Sequence, residues 1–401
     1  MDKLIMVGCD LHDKSMLNKM DVGGKVVKRE WDNTRSGRQA MIADLQRRAA
    51  EIGAQRIVFA YEASGLGFIL HDELVAAGIE CYILAPTGME RSPKHWRRKT
   101  DERDAQKVLD LLRAHLLAGN DLPSIWIPDQ QTRDERELTR GRLDLSDKLT
   151  QVKTQVRCLL KRNGVEPHEA PVKSWTPRYL VWLHSLRGQR IGPGASAALG
   201  TLVGQVEFLE REIVRLDEEL AGLSQTPRYV GVVAAMRRDK GIGVLTALVF
   251  ATEMGDLGRF QNRRQVGSFL GLAPSCHESG QDNDHKGHIT RQGPARVRKV
   301  LNQAVWSRIR CVPAEREFYD RLVQKNPKHK KIAVVAAMRR MAIRCWHNAL
   351  EAQQAGRTKP APASARPPGG TAIPATTEKA VVQERRARFR EFFHADQAPA
   401  S

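Results

Sequence analysis

The sequence predicts an α/β domain at its N-terminus, then a helical region with coiled-coil stripes, then a mostly helical C-terminal domain. Up to residue 128, apolar runs typical of buried strands alternate with segments typical of helices. From 129 to 225, apolar residues recur at heptad-like spacings. From 226 to 352, apolar and basic helices surround a glycine-rich polar loop. Pro, Ala, Gly and Thr then dominate, so 353–401 is expected to be a disordered linker with a basic tail.

The N-terminal elements are predicted in the order three strands, helix, strand, helix, strand, helix. The first strand, LIMVGCDL, is mostly apolar and ends near Asp10. The next two form a hairpin that turns at Gly23-Gly24, a favoured two-residue connection. The later elements are a helix at 36–52, a strand at 56–64 with Glu62 near its end, a helix at about 68–77, a strand at 80–86 and a charged helix containing KTDERDA. This alternation predicts a partly parallel sheet.

Two heptad-like stripes mark the middle region. One contains Leu138, Leu145, Leu149, Val152, Val156 and Leu159, and the other contains Val206, Leu209, Ile213, Leu216 and Leu220. A Pro- and Gly-containing insert at 165–200 interrupts the helices. The stripes fit two arrangements, an antiparallel hairpin within one chain or a coiled coil between chains. The second arrangement would make the protein a homo-oligomer.

The C-terminal domain contains the turn Gly241-Ile242-Gly243 between two predicted helices. This turn resembles a helix-hairpin-helix, whose exposed backbone amides can accept a phosphate. A basic amphipathic helix is predicted at 295–310, and another helix with basic ends is predicted at 328–344. Both features favour a nucleic-acid partner.

Composition narrows the class of partner. Lys and Arg number 65 against 46 Asp and Glu, which gives a formal charge of +19 and favours a polyanion. No apolar run reaches the ~18 residues of a membrane span, and the N-terminus lacks a signal peptide's apolar core. The six cysteines show no CxxC spacing, which favours reduced thiols over a zinc site or disulfides. We therefore expect a cytoplasmic, nucleoid-associated bacterial protein that binds nucleic acid.

Four carboxylates stand where the predicted fold could bring them together. Asp10 and Glu62 end two strands that would be neighbours, and Asp101 and Asp104 lie three residues apart on one helix face. Each alone is most simply a surface or capping carboxylate. Together they would repel one another unless cations neutralise them. Oxygen-only ligation favours Mg²⁺ or Mn²⁺, and two such ions can promote chemistry at phosphorus.

This pattern resembles the ribonuclease H-like fold of RuvC-type resolvases, and more narrowly the DEDD transposases of insertion sequences. That family includes Piv-type invertases and bridge-RNA-guided recombinases. The matching segments are GCDLH, YEASG and KTDERDA, and then LGLAPSCHESGQDNDHKGHITRQGPARVRKVL. The resemblance implies catalytic roles for Asp10, Glu62, Asp101 and Asp104. Two departures are Glu278, where many relatives have a serine, and the RRDKGIG turn, where relatives usually have a proline before the glycine.

Ser279 would by spacing alone be a turn residue in a loop rich in Gly, Asn and Asp. The resemblance instead implies that it is a nucleophile that attacks DNA phosphate and forms a covalent phosphoserine. It also implies that a non-coding guide RNA pairs with the donor and target DNA. No RNA-reading motif is evident in the residues themselves.

Basic residues flank the two motifs. Lys94, Arg97, Arg98 and Lys99 precede the acidic pair, and Arg291, Arg296, Arg298 and Lys299 follow the Ser279 loop. Such runs are commonly solvated faces. Beside a metal site, they would position DNA by contacting its phosphates.

Two other functions fit parts of the pattern. A metal-dependent junction nuclease would need the carboxylates but not Ser279. A basic coiled-coil nucleic-acid-binding protein without enzymatic activity would need neither.

Overall fold

The structure is a computed structural model that describes residues 3–88, 100–172, 175–188, 190–276 and 286–357. The chain divides into two compact units, one ending at Ile127 and one beginning at Pro128. Within the described ranges, no helix combines the length and apolarity needed to cross a membrane. The further division of 129–352 into two domains stays a prediction.

The first unit contains a mixed five-stranded sheet in the order β3-β2-β1-β4-β5. Strand β2 is antiparallel to both of its neighbours, β1 and β3, whereas β4 is parallel to both of its neighbours, β1 and β5. The predicted order of elements is confirmed, and this topology is compatible with a ribonuclease H-like fold. The elements are β1 (Leu4–Leu11), β2 (Ser15–Val22), β3 (Lys25–Asp32), α1 (Arg35–Ile52), β4 (Arg56–Glu62), α2 (Ile69–Ala76), β5 (Glu80–Leu84) and α3 (Asp101–Ala118).

The two faces of the sheet pack against different helices. Ile5, Val7 and Cys9 of β1 belong to a core shared with α1 and α2. Met6 belongs instead to the core formed with Val108 of α3. Because side chains alternate along a strand, Gly8 and Asp10 share the face of Met6. Asp10 therefore lies on the face that α3 covers.

The second unit is mostly helical. Its elements are α4 (Gln130–Arg162), α5 (Pro177–Ser185), α6 (Pro193–Ser224), α7 (Val230–Arg237), α8 (Val244–Met254), α9 (Arg263–Phe269), β6 (Pro274–Cys276), β7 (Lys286–Ile289), α10 (Ala295–Cys311), α11 (Pro313–Lys325) and α12 (Lys330–Arg357). Helix α12 thus continues into the segment for which the sequence predicts disorder. Residues 358–401 lie outside the described part of the chain.

The heptad stripes of α4 and α6 face each other within one chain. Val152, Val156 and Leu159 share a core with residues of α6 that include Val206 and Leu209. Ion pairs join Arg142 to Asp217 at 2.6 Å and Lys153 to Glu210 at 2.7 Å. Partner numbers fall along α6 as they rise along α4, so the helices are antiparallel. This is the hairpin alternative, and a coiled coil between chains stays a prediction.

The Gly-Ile-Gly turn lies against α10. Gly241 has φ +100°, and a Cβ there would stand 2.5 Å from the carbonyl oxygen of Ala304. Ile242 is buried, and Arg308 of α10 donates a hydrogen bond to the Lys240 carbonyl at 3.4 Å. Gly241 therefore serves close packing against α10, whereas a Cβ on Gly243 would meet no atom within 4 Å. Phosphate binding by the turn stays a prediction.

Candidate metal centre

Asp10 and Glu62 end neighbouring parallel strands at the same edge of the sheet. Cys9 of β1 pairs in register with Tyr61 of β4, so the next residue of each strand is one of the two carboxylates. Val58 and Ala60 face α3, and alternation places Glu62 on that same face. Both carboxylates are therefore directed to the side of the sheet on which α3 packs.

Helix α3 begins with the two other carboxylates. Its cap is Thr100, Asp101 is its first residue, and Asp104 follows within the first turn. Acidic side chains are favoured there because the N-terminal end of a helix carries a partial positive charge. The side chain of Asp101 is 58% exposed, whereas that of Asp10 is only 14% exposed. The site is thus open on its helix side and enclosed on its strand side.

Ion pairs at both ends of α3 hold it against the hairpin of β2 and β3. Near its start, Glu102 accepts hydrogen bonds from Lys19 at 2.5 Å and Lys28 at 2.9 Å. Farther along, Arg113 donates to Asp21 at 2.9 Å. The two lysines lower the pKa of Glu102 to about 2. Glu102 therefore holds the helix against the hairpin, whereas the negative charges of Asp101 and Asp104 raise the pKa of Asp10.

His12 joins the carboxylates, although the sequence analysis did not select it. Its Nε2 lies 3.0 Å from Oδ2 of Asp10 and 3.5 Å from Oδ1 of Asp101. Potential ligand atoms of these three residues all lie within 4.8 Å of one another. The signal was present in GCDLH, because His12 stands two positions after Asp10 and so shares its face if the strand conformation continues.

The electrostatics of Asp10 fit a bound cation. Burial raises the pKa of its carboxyl above the ordinary value; His12 opposes this shift, and the negative charges of Asp104 and Asp101 add to it. Burial and like charges therefore disfavour the ionised carboxylate in the metal-free protein. A bound divalent cation would instead favour the ionised form of the Asp10 carboxyl. The donor set, carboxylate oxygens with one imidazole, suits Mg²⁺ or Mn²⁺.

The other predicted site residues are Ser279 and the basic residues, and the structure describes only some of them. Ser279, Lys94, Arg97, Arg98 and Lys99 lie outside the described residues. In the second unit, Arg296 pairs with Asp144 at 3.1 Å, and Lys299 pairs with Asp147. Both acidic partners lie on α4, so these two basic side chains join α10 to the helical hairpin. Phosphate contact by any of the eight basic residues stays a prediction.

Arg298 has a structural role near β6 and β7, the two strands between which Ser279 lies in sequence. Its Nη1 donates to the carbonyl oxygens of Leu270 at 3.0 Å, Gln292 at 3.3 Å and Gly293 at 3.1 Å. Burial lowers the pKa of its guanidinium, and the positive charge of Arg291 lowers it further. Arg291 itself is exposed and has φ 56°, the left-handed region that non-glycine residues rarely adopt.

The backbone near β6 and β7 is packed without room for side chains. A Cβ on Gly293, which has φ +85°, would stand 1.8 Å from the carbonyl oxygen of Phe269. Ser275 donates from Oγ to the His288 carbonyl at 3.0 Å, which ties β6 to β7. The ends of the segment between β6 and β7 are therefore fixed by glycine contacts and hydrogen bonds.

Two family models match the chain. One, described as a DEDD transposase model of the type IS110, matches residues 7–163, which contain Asp10, Glu62, Asp101 and Asp104. The other, described as transposase IS116/IS110/IS902 family, matches residues 234–320, which contain Ser279.

Curated relatives carry similar names. The chain is 32% identical over 272 residues to putative transposase y4qE of Sinorhizobium fredii, covering 67% of this chain and 63% of that protein. It is 28% identical over 329 residues to putative transposase y4rJ of the same organism, covering 78% of this chain and 82% of the relative. A pilin gene-inverting protein of Moraxella bovis is 30% identical over 131 residues, covering 32% of this chain and 40% of its own length.

Proposed function

The chain belongs to the transposase family IS116/IS110/IS902, and from that premise we propose that it is an insertion-sequence transposase that breaks and rejoins DNA strands. The observation that carries the proposal is the position of Asp10 and Glu62. They end adjacent parallel strands on the face where α3 supplies Asp101 and Asp104. Ligand atoms of Asp10 and Asp101 lie within 4.8 Å of each other, whereas Glu62 and Asp104 are placed by the strand register and the first turn of α3. Carboxylates gathered on one face fit phosphoryl transfer assisted by divalent cations better than they fit a structural role.

Asp10, Glu62, Asp101 and Asp104 would hold the cation, either Mg²⁺ or Mn²⁺. When bound, the cation supplies charge neutralisation at a DNA phosphate and lowers the pKa of an attacking hydroxyl. Asp10 is fixed by its strand and largely enclosed, so it is suited to set the position of the site. Asp101 is exposed at the start of α3, where it can contact the solvent side of the same site.

Ser279 is proposed as the nucleophile. Its Oγ would form a bond to phosphorus while one P–O bond of the DNA backbone breaks. The serine proton passes to a nearby base, and the broken strand leaves with a hydroxyl group. Attack by a hydroxyl of the second DNA strand then reverses these changes, so the bond energy is kept for rejoining. This assignment depends on the resemblance of the Ser279 loop to DEDD transposases.

One relative's name favours rejoining over simple cleavage. The Moraxella protein is named as a gene-inverting protein, and inversion of a DNA segment requires the cut ends to be joined again. A junction nuclease hydrolyses DNA and would not need a covalent serine. We therefore rank strand exchange above hydrolysis for this chain.

The proposed partners are donor and target DNA, a non-coding guide RNA and further copies of this chain. The formal charge of +19 supports a nucleic-acid partner. The guide RNA depends on the family resemblance alone. Exchange between two DNA duplexes needs more than one active site, which is the reason for proposing a homo-oligomer.

Asp104→Asn tests the proposal. Excision from a plasmid that carries the whole element would be measured in cells, and Mn²⁺ binding to the purified protein by calorimetry. We expect both to be lost while the protein stays folded, because the change removes one of several mutually repelling charges. Asp110→Asn is the matched control, since it removes a carboxylate from the exposed part of the same helix. Excision at the wild-type rate by Asp104→Asn would refute the site.

A further inference from the structure

His12 lies where a ligand of the proposed cation would lie. In an octahedral site with ligands about 2.1 Å from the ion, neighbouring ligand atoms are about 3.0 Å apart. The distance from Nε2 of His12 to Oδ2 of Asp10 is 3.0 Å. The distance from the same nitrogen to Oδ1 of Asp101 is 3.5 Å, and Asp101 has an exposed side chain that can adjust. Nε2 of His12 thus stands at about the spacing of neighbouring ligand atoms from one oxygen of each carboxylate.

The backbone of His12 is held on both sides. Its N–H donates to the carbonyl oxygen of Ser15 at 2.9 Å, which closes the turn from β1 to β2. Its own carbonyl accepts a hydrogen bond from Nδ2 of Asn33 at 2.8 Å. The backbone of His12 is therefore fixed, and its imidazole is held near the site before a cation binds. Preorganisation of this kind is expected of a ligand and is not needed by a solvated surface histidine.

We propose that His12 is a fifth ligand of the metal centre, binding through Nε2 beside Asp10 and Asp101. This inference rests on the proposed function, because it assumes that the carboxylates hold a divalent cation. An imidazole nitrogen is a softer ligand than a carboxylate oxygen and suits transition metals better than Mg²⁺. His12 therefore biases the site toward Mn²⁺ over Mg²⁺.

Binding of the cation by Nε2 of His12 would replace the hydrogen bond between His12 and Asp10. In the metal-free protein, Nε2 can donate its hydrogen to Oδ2 of Asp10. In the complex, Nε2 supplies a lone pair and the hydrogen is carried by Nδ1. Exchange between the two neutral tautomers can proceed through solvent, because the imidazole is 43% exposed. If His12 instead only orients Asp10, the hydrogen bond would remain and no metal–nitrogen bond would form.

Pulsed electron paramagnetic resonance on the full-length protein loaded with Mn²⁺ distinguishes these roles. A directly bound imidazole gives a ¹⁴N coupling to the Mn²⁺ electron spin, and labelling histidine with ¹⁵N changes that coupling. We expect the coupling in the wild type and its loss in His12→Gln. We also expect His12→Gln to lower the ratio of Mn²⁺ to Mg²⁺ affinity about tenfold. The control is His71→Gln, because His71 also pairs with an aspartate, Asp72, at 3.1 Å.

The outcomes separate this inference from the proposed function. Mn²⁺ that binds the wild type without nitrogen coupling, or with coupling that survives in His12→Gln, would overturn the role of His12. The carboxylate site would then still stand if Asp104→Asn abolishes binding. Failure of the wild type to bind Mn²⁺ would overturn both. The isotope comparison uses the wild type, so a missing histidine nitrogen coupling there overturns the role of His12 even if His12→Gln does not fold.

Discussion

Gly8 of β1 lies directly against Ala105 of α3, and a Cβ on Gly8 would stand 2.4 Å from the Ala105 carbonyl oxygen. The same Cβ would stand 2.3 Å from the backbone nitrogen of Leu109. Strand and helix are therefore as close as two backbones allow. Asp10 follows Gly8 by two residues, and Asp104 immediately precedes Ala105. This contact determines how far the helix carboxylates stand from Asp10.

Gly8→Ala should therefore disrupt the metal centre without touching a carboxylate. The added methyl meets backbone atoms that cannot rotate away, so α3 must shift outward. Overpacking of this kind costs about 1–3 kcal/mol of unfolding free energy. Urea unfolding and Mn²⁺ calorimetry would measure the two effects. Gly65→Ala is the control for stability, since a Cβ at Gly65 meets no atom within 4 Å. Unchanged metal affinity in Gly8→Ala would show that the spacing is not critical.

The contact of Glu102 with Lys19 and Lys28 predicts a pH-dependent contribution to stability. Hydrogen bonds and charge from the lysines lower the pKa of Glu102 from 4.5 to about 2 in the folded protein. A lowered folded-state pKa stabilises the protein above the unfolded-state value, and the benefit is lost as pH falls from about 4.5 toward 2.

Comparison of wild type with Glu102→Gln by urea unfolding at several pH values would measure this contribution. The difference should be small, because the group is exposed, and it should shrink with acid and with added salt. A difference that stays constant from pH 7 to pH 3 would mean that Glu102 acts through packing rather than through its charge.

Arg298→Ala should destabilise the backbone near β6 and β7, the strands on either side of the Ser279 loop in sequence. Arg298 satisfies the carbonyl oxygens of Leu270, Gln292 and Gly293, and losing those hydrogen bonds should cost about 1–3 kcal/mol. Strand joining should fall because the loop ends are no longer fixed, whereas Mn²⁺ binding should be unchanged. Urea unfolding and calorimetry would test both statements. If Arg298 only contacts phosphate, stability will match the wild type and only DNA binding will weaken.

Arg291→Ala should weaken DNA binding without lowering stability, the reverse of the effect expected for Arg298→Ala. Arg291 is exposed, and its side chain makes no hydrogen bond or ion pair within the described ranges. Its removal should leave stability unchanged, or slightly higher if glycine is used, because φ is 56°. DNA affinity should fall similarly for different sequences, and the salt slope should fall by about one unit. Fluorescence anisotropy across a salt series would measure this, and an unchanged slope would exclude a phosphate contact.

The sequence predicted the strands because the buried runs end at polar residues, which also located Asp10 and Glu62. It could not choose between a hairpin and an intermolecular coiled coil, since heptad spacing is the same in both. It also missed the pairing of Arg296 with Asp144, because those residues are 152 positions apart and only the tertiary fold joins them. His12 was missed for a different reason. Its spacing of two from Asp10 places it on the same face, but that spacing alone does not distinguish a metal ligand from a surface histidine.

Ser279→Ala tests whether strands are rejoined through a covalent intermediate. Glycines 280, 287 and 293 follow the serine in sequence, and Gly293 packs against the carbonyl group of Phe269. If Ser279 holds the DNA phosphate during exchange, the variant should bind Mn²⁺ and DNA normally but form no recombinant product. Wild-type reactions digested with protease should yield a nucleotide attached to the peptide containing Ser279.

Ser307→Ala is the matched control, since it removes a serine hydroxyl from α10 outside the loop and should keep both recombination and the adduct. Cleavage without joining by Ser279→Ala, with no adduct in the wild type, would identify a metal-dependent nuclease. An adduct on a different serine would retain the covalent mechanism and move the nucleophile. Full recombination by Ser279→Ala would exclude the serine altogether, because the exchanged strand would then have to be joined without a protein phosphodiester at this position.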